Sequence, residues 1–306
     1  MRTLSGIFPP FFFLIATVFI FSCHSSDNDE AELHAKIDLQ QCGALPKEIN
    51  ESSGLCVADS GRFFTLNDSR GEPVLFEIDR SGNINKRITL INENNNDWEE
   101  ITKDDSGNYY VGDFGNNNGD RREFFVYKFN AHLASRSDTI AADDVRFTLP
   151  DNAVIPSATG NRNFDFEAMI HYGNSLYIFS KNRSEPNDGY CKLYKLPDSP
   201  GEYVATLLDS MCMGNAGMKK NSITGAAINK DHNEIILISH ERLWTLSGFN
   251  GDQFFRGKIQ KYGFTRSGLS LEGVCFGSND ELFLTEERSD PGTGMLFRCE
   301  LSDLRK

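Results

Sequence analysis

Past residue 34 no long stretch of this chain shows helical periodicity. Short runs rich in Val, Ile, Phe, Tyr and Leu instead follow one another between clusters of Gly, Asn, Asp and Ser, which is how antiparallel strands and their turns read. The runs are self-similar. The segment D-W-E-E-I, Asp97 to Ile101, recurs as E-S-S-G-L (Glu51 to Leu55), D-F-E-A-M (Asp165 to Met169), S-I-T-G-A (Ser222 to Ala226) and S-L-E-G-V (Ser270 to Val274). Its third position is always an oxygen-bearing side chain: Ser53, Glu99, Glu167, Thr224 or Glu272.

Each copy is followed by a second apolar run that ends in polar residues: RFFTLNDS, NYYVGDFGNN, SLYIFSKNR, EIILISHER and ELFLTEER. A third run comes next (PVLFEID, FFVYKF, CKLYKL, RLWTL, GMLFRCEL), and four copies carry a fourth (NKRITL, DVRFTL, EYVATLL, GKIQKYGF). Four-stranded units repeated in this way are the blades of an all-β propeller. AKIDLQQ, Ala35 to Gln41, is the natural donor of the outer strand that the fifth copy lacks, pairing with GMLFRCEL to close the ring. The copies predict five blades, and the long intervals between the second and fourth copies leave room for a sixth. Two packed β domains would satisfy the same turn punctuation but leave the common template unexplained.

In a propeller the start of the innermost strand shares a rim with the end of its antiparallel neighbour. That rim would gather Glu51, Asp97, Glu99, Glu167 and Glu272 with Asn67, Asp68, Asp113, Asn116, Lys181, Asn182, His240, Glu241, Glu286 and Glu287. Glutamates converging on a narrow axis repel one another and gain protons unless a cation sits between them. All-oxygen donors favour calcium or magnesium, and loosely spaced donors favour calcium. The expected ligands are Glu99, Glu167 and Glu272, completed by Asp113 and Asn67. A second calcium loop is suggested by Asp113, Asn116, Asn118 and Asp120, although it lacks the full EF-hand pattern and its terminal Glu. Ordinary turn chemistry explains the same residues. Lys181, Arg183, Arg242 and Arg288 bring positive charge to the rim, either to receive an anionic or ester group or to pair with carboxylates. Lys181, His240 and Arg242 are the candidates for catalysis. Trp98, Phe166 and Leu271, at the second template position, are expected to pack between blades.

Composition changes the picture in three ways. The formal charge of −13 argues against nucleic acid as a partner and suits cations. Residues 1–22 combine Arg2 with the apolar run GIFPPFFFLIATVFIF, and FIFSC resembles a bacterial lipoprotein signal with acylation at Cys23. A plain secretory signal or an uncleaved anchor fits the same run. Residues 23–34 then read as an acidic tether and 35–306 as the propeller, giving an outer-membrane lipoprotein, periplasmic or surface-exposed, lipid-anchored and monomeric. The six other cysteines, Cys42, Cys56, Cys191, Cys212, Cys275 and Cys299, show no CxxC spacing. They read equally as disulfide partners or as small buried side chains.

Familiar catalytic motifs are absent: there is no HExxH, GxSxG or GxGxxG, and the run at Gly251 fails as a P-loop because Ile259 stands where Ser or Thr is needed. The combination of E-S-S-G-L, T-L-N-D-S, P-V-L-F-E-I-D, D-W-E-E-I, Y-V-G-D-F-G-N-N and D-F-E-A-M resembles a bacterial family of exported β-propeller proteins with little functional characterisation, over most of residues 45–290. That family usually reads D-W-E-D-I and G-D-I-G-D-N, so Glu100 and Asn116 depart from it, the latter removing a carboxylate from the proposed loop. In architecture the chain is more distantly similar to calcium-dependent propeller hydrolases, the gluconolactonase and senescence-marker group and the propeller phytases. That analogy implies a rim cation polarising a lactone or phosphate ester. Two functions follow as expectations: a binding module presenting its rim to a glycan, peptide or small anionic ligand, or a calcium-dependent hydrolase of small esters, lactones or phosphate esters.

Overall fold

The computed structural model describes residues 32–59, 61–68, 71–150, 162–277, 280–287 and 294–303. The expected signal, Cys23 and Arg288 lie outside these residues. No helix among the described residues is long and apolar enough to cross a membrane.

The described strands form five antiparallel sheets. Blade 1 runs outward through Ser52–Asp59, Arg62–Asn67, Val74–Asp79 and Ile84–Ile91; blade 2 through Trp98–Lys103, Asn108–Asp113, Phe124–Asn130 and Asp143–Thr148. Blade 3 comprises Asp165–Tyr172, Ser175–Lys181, Tyr190–Pro197 and Thr206–Cys212, and blade 4 comprises Gly225–Ile228, Glu234–Ser239, Arg242–Ser247 and Lys258–Phe264. Blade 5 has Leu271–Phe276, Glu281–Glu286 and Met295–Glu300, completed by Gln40–Ala44 from the N-terminal side. The innermost strands touch in the cyclic order 1, 2, 3, 4, 5 and back to 1, so the ring closes at five.

The long intervals hold fastenings rather than a sixth blade. Thr139–Ala141 adds in parallel to the outer strand of blade 1, and Gly201–Val204 does the same for blade 2. The N-terminal segment also differs from expectation. Ala35–Ile37 pairs in parallel with the outer strand of blade 4, and only the next stretch, Gln40–Ala44, pairs with Met295–Glu300. One segment therefore straps two blades, because the chain crosses the wedge between them as it enters the ring.

The core is the set of wedges between blades. Trp98 packs with Phe64, Leu75 and Ile88 of blade 1, Phe166 with Phe124 and Phe147 of blade 2, and Leu271 with Ile236 and Leu243 of blade 4. All three template residues are fully buried, so the second position fills the wedge against the preceding blade. Cys42, Cys56, Cys191 and Cys275 are free thiols; Cys56, Cys191, Cys275 and Cys299 are buried and Cys42 is half-buried.

Pairing of the innermost strand slips at the template in four blades: between Ser52 and Leu55, Trp98 and Glu100, Phe166 and Ala168, and Leu271 and Gly273. Such a bulge re-aims a side chain, here turning the third template residue toward the axis. The fourth position is Gly54, Ala168, Gly225 or Gly273 in four blades and Glu100 in blade 2. A Cβ on Gly273 would meet Ser53 O at 2.4 Å, so the inner strands approach too closely there for a side chain. Glu100 fills the space that its small counterparts leave. It is fully buried; its Oε1 accepts from Ile101 N and its Oε2 from Ala226 N, both at 3.0 Å, and the backbone N–H groups of Leu55 and Met169 also bond to it. One carboxyl thus ties the inner strands of blades 1 to 4 across the axis and plugs the channel.

Candidate functional site

Beside this plug, on the side of the strand starts, lies a cavity of about 210 Å³ to which every blade contributes. Blade 1 supplies Ser52, Ser53 and the flanking Glu51 and Asp68; blade 2 supplies Glu99; blade 3 supplies Glu167 and Lys181 with Arg183 after it; His240 follows the second strand of blade 4; and blade 5 supplies Glu272 and the following Glu287. The third template position therefore reaches this cavity in four of the five blades, as Ser53, Glu99, Glu167 and Glu272. Thr224 instead donates its hydroxyl to Leu271 O at 2.8 Å, stitching blade 4 to blade 5.

Among the described residues, the two cations of the cavity are committed to carboxylates. Lys181 Nζ lies 2.6 Å from Glu167 Oε2, Arg183 Nη2 lies 3.1 Å from Glu167 Oε1, and Arg183 Nε bonds to Asp165. Burial pushes the Lys181 ammonium down, but Glu167 and Glu272 more than offset this and keep it protonated. Burial pushes Glu167 up and Lys181 opposes it; with charge-assisted bonds on both oxygens, it is the ionised partner.

Among the described residues no cation bonds directly to Glu99, and Arg183 acts on it only through space. Ser53 Oγ donates to its backbone oxygen at 2.6 Å and lies 3.3 Å from Oε2, while Oε1 has no hydrogen-bond partner although the residue is only 2% exposed. Burial, then the neighbouring Glu167, Asp68, Asp165 and Asp97, hold its carboxyl well above the usual range. Glu99 is the shared corner of two carboxylate triplets, Asp68–Asp97–Glu99 and Glu99–Asp165–Glu167, whose oxygens lie within 4.8 Å of one another. The second triplet already holds Lys181 and Arg183. Burial and Asp68 push Asp97 up to about 7. A Cβ on Gly115 would lie 2.2 Å from Glu99 Oε1 and 2.4 Å from Asp97 Oδ2, so only glycine lets both carboxylates approach the backbone here; Asp97 and Gly115 line the neighbouring depression rather than the cavity itself.

Across the cavity, burial pushes Glu272 up to about 8 and pushes His240 down to about 3, Lys181 adding to the latter. His240 is therefore neutral. Its Nδ1 lies 3.4 Å from Glu272 Oε1 but makes no hydrogen bond, and Glu272 Oε2 also has no partner.

Other expected site residues go elsewhere. Asp113 Oδ1 pairs with Arg121 at 2.7 Å, and its Oδ2 accepts from Tyr127 Oη at 3.0 Å and Asn96 Nδ2 at 2.8 Å; it faces its own blade. Asn67 donates to Glu48 O at 2.7 Å and does not line the cavity. In the proposed second loop, Asn116 donates its N–H to Asp165 Oδ1 at 2.6 Å and its amide to Phe164 O at 3.1 Å; Asn116, Asn118 and Asp120 line a depression outside the axial cavity, which Asp97 and Gly115 also line and Asp113 does not. Asp113 is turned away from the other three, and Asn116 buttresses Asp165. Arg242 is buried outside the cavity, with Nη1 donating to Glu241 O at 3.1 Å. Asp165 had not been singled out as a site residue, yet its signal was present: first and third template positions share a strand face, so Asp97 accompanies Glu99 and Asp165 accompanies Glu167. Asn95, also overlooked, donates to Asn67 O and Asp68 O at 2.9 and 2.8 Å and accepts from Trp98 N at 3.0 Å. It holds the turn bearing Asp68 against the strand bearing Asp97.

No protein-family profile and no curated protein matches the chain. Solved structures similar in fold include a PQQ-bound aldose sugar dehydrogenase from Streptomyces coelicolor, 12% identical with a TM-score of 0.46 over 87% of this chain and 97% of that one. A glucose dehydrogenase is 10% identical, TM-score 0.47, over 85% and 98%. A streptogramin B lyase is 12% identical, TM-score 0.42, over 84% and 96%. Likeness at this level says nothing about the chemistry of the cavity.

Proposed function

We propose that this protein is a cell-envelope β-propeller, tethered through an acylated Cys23, that holds a divalent cation at the edge of its axial cavity, between Asp68 and Glu99 of the cavity wall and Asp97 beside it, and uses it to bind a ligand. The observation that carries the reading is Glu99 Oε1, buried and without a partner at the corner of Asp68 and Asp97. An all-oxygen donor set with variable spacing suits calcium. The ligands are Glu99, Asp68 and Asp97, because Glu167 is already neutralised by Lys181 and Arg183. Calorimetric titration of the mature protein with calcium tests this. Binding is expected in the wild type and lost in Glu99→Gln and in Gly115→Ala, whose methyl group would collide with the carboxylates of Glu99 and Asp97 and force them apart. Calcium affinity unaltered in both variants, with folding verified by circular dichroism, removes the assignment. Cys23→Ala is expected to release the protein from the membrane fraction.

One observation favours a hydrolytic reading of the same cavity. His240 is neutral beside Glu272, so its ring nitrogen Nδ1, which has no partner, can accept a hydrogen bond from a water and orient it. Turnover of an ester, lactone or phosphate-ester panel that disappears with chelator and in His240→Gln would establish it.

A further inference from the structure

Resting on the cation site proposed above, we infer that the ligand of the axial cavity is an uncharged polyhydroxylated molecule, a single sugar unit or polyol, seated between the cation and the wall formed by Glu272 and His240. Charge excludes the alternative of an anion. Among the described residues the cavity is lined by Glu51, Asp68, Glu99, Glu167, Glu272 and Glu287 against Lys181 and Arg183. Both of those cations already bond to carboxylates, Lys181 at 2.6 Å. An entering carboxylate or phosphate would meet further carboxylates with only a shared calcium to pair it, and would have to leave its water behind.

What the wall of Glu272 and His240 lacks is hydrogen-bond partners. Glu272 is 8% exposed, lines the cavity and leaves Oε2 without a partner; His240 Nδ1, 3.4 Å from the other oxygen of Glu272, is likewise unpartnered. An unsatisfied buried acceptor is expensive until a donor reaches it. A hydroxyl donates to such an oxygen, and through its lone pairs a neighbouring hydroxyl completes the oxygen shell of a calcium ion. One polyol can therefore satisfy both walls. The volume of about 210 Å³ falls below the ~300–1,000 Å³ of sites for drug-sized molecules, which limits the ligand to one small unit. No aromatic ring lines the cavity among the described residues, so the ligand is held by polar contacts rather than by stacking.

The test is calorimetry on the mature protein loaded with calcium, using neutral monosaccharides and alditols, the uronate and phosphate of the same skeletons, and the corresponding amino sugars. A neutral polyol is expected to bind, its charged uronate or phosphate more weakly. Glu99→Gln should lower both calcium and polyol affinity. Glu272→Gln should weaken the polyol by about tenfold with a smaller change for calcium. Tighter binding of the anionic analogue, or no polyol binding by protein that binds calcium normally, overturns the inference. Binding of an amino sugar without calcium, to the exclusion of polyols, also overturns it. If calcium itself fails to bind, the cation reading falls separately, and the same panel run without metal still decides the ligand class.

Discussion

Two adjacent glutamates divide the chemistry of the axis. Glu99 faces a cavity and lacks a partner for Oε1, while Glu100 faces backbone and accepts from inner strands around the ring. Glu100→Ala leaves several buried N–H groups without an acceptor, at ~1–3 kcal/mol each, so urea denaturation should show a loss on the order of 4 kcal/mol. Glu100→Gln keeps one acceptor but turns an NH₂ group toward an N–H donor, and roughly half that loss is expected. Equal stability of all three proteins would refute the tie. Asp97 and Glu272, pushed up to about 7 and about 8 from ordinary values of 3.8 and 4.5, make the cation-free protein sensitive to pH. A raised folded-state pKa contributes stability that is full below the unfolded pKa and is lost as pH rises through the folded one. The melting temperature in chelator should therefore fall between about pH 4 and pH 8, and the gain on adding calcium should grow over that interval. A gain that shrinks with rising pH would contradict the site. Recurrence in the sequence was enough to single out Glu99, Glu167 and Glu272. It misassigned Asp113 and Asn67 because a strand end near the rim can still turn its side chain toward its own blade, as Asp113 does toward Tyr127 and Arg121.

Among the elements, the innermost strands carry most of the information. Their bulges coincide with the template, so the signal that identifies a blade is also the device that turns its third residue inward. The small residue after it follows from the close approach of neighbouring strands. Gly273→Ala drives a Cβ against Ser53 O, a backbone atom with little room to move, and is expected to cost about 1–3 kcal/mol and to weaken calcium binding by displacing Ser53 from Glu99. Denaturation and titration of the one variant check both effects, and a fully stable Gly273→Ala would show that the ring can breathe at that point. The short helix Ala131–Arg136, capped by Asn130 accepting from His132 N at 3.0 Å, was not legible beforehand. Neither were the parallel strands Thr139–Ala141 and Gly201–Val204, because a three- or four-residue edge strand has too few positions to show alternation.

As a ring, the molecule depends on its seam. Residues 35–44 supply the outer strand of blade 5 and a strand beside blade 4, so their deletion should lower the melting temperature by roughly 10 °C and broaden the transition; an unchanged melting curve would mean that wedge packing alone closes the circle. The cavity has the same dependence, since it draws on all five blades and exists only when the circle is complete. The repeated template, the all-β class, the count near five and the gathering of acidic residues at one mouth could be read from the chain, because a blade is built from neighbouring residues and its period survives in the order of amino acids. The partner of each charge could not be read in this way. Lys181 and Arg183 neutralise Glu167, Arg121 takes Asp113, Asn95 joins Asp68 to Asp97, and Glu99 is left unsatisfied. Those outcomes depend on ångström-scale distances between side chains on different strands and blades, and such distances exist only once the ring has closed.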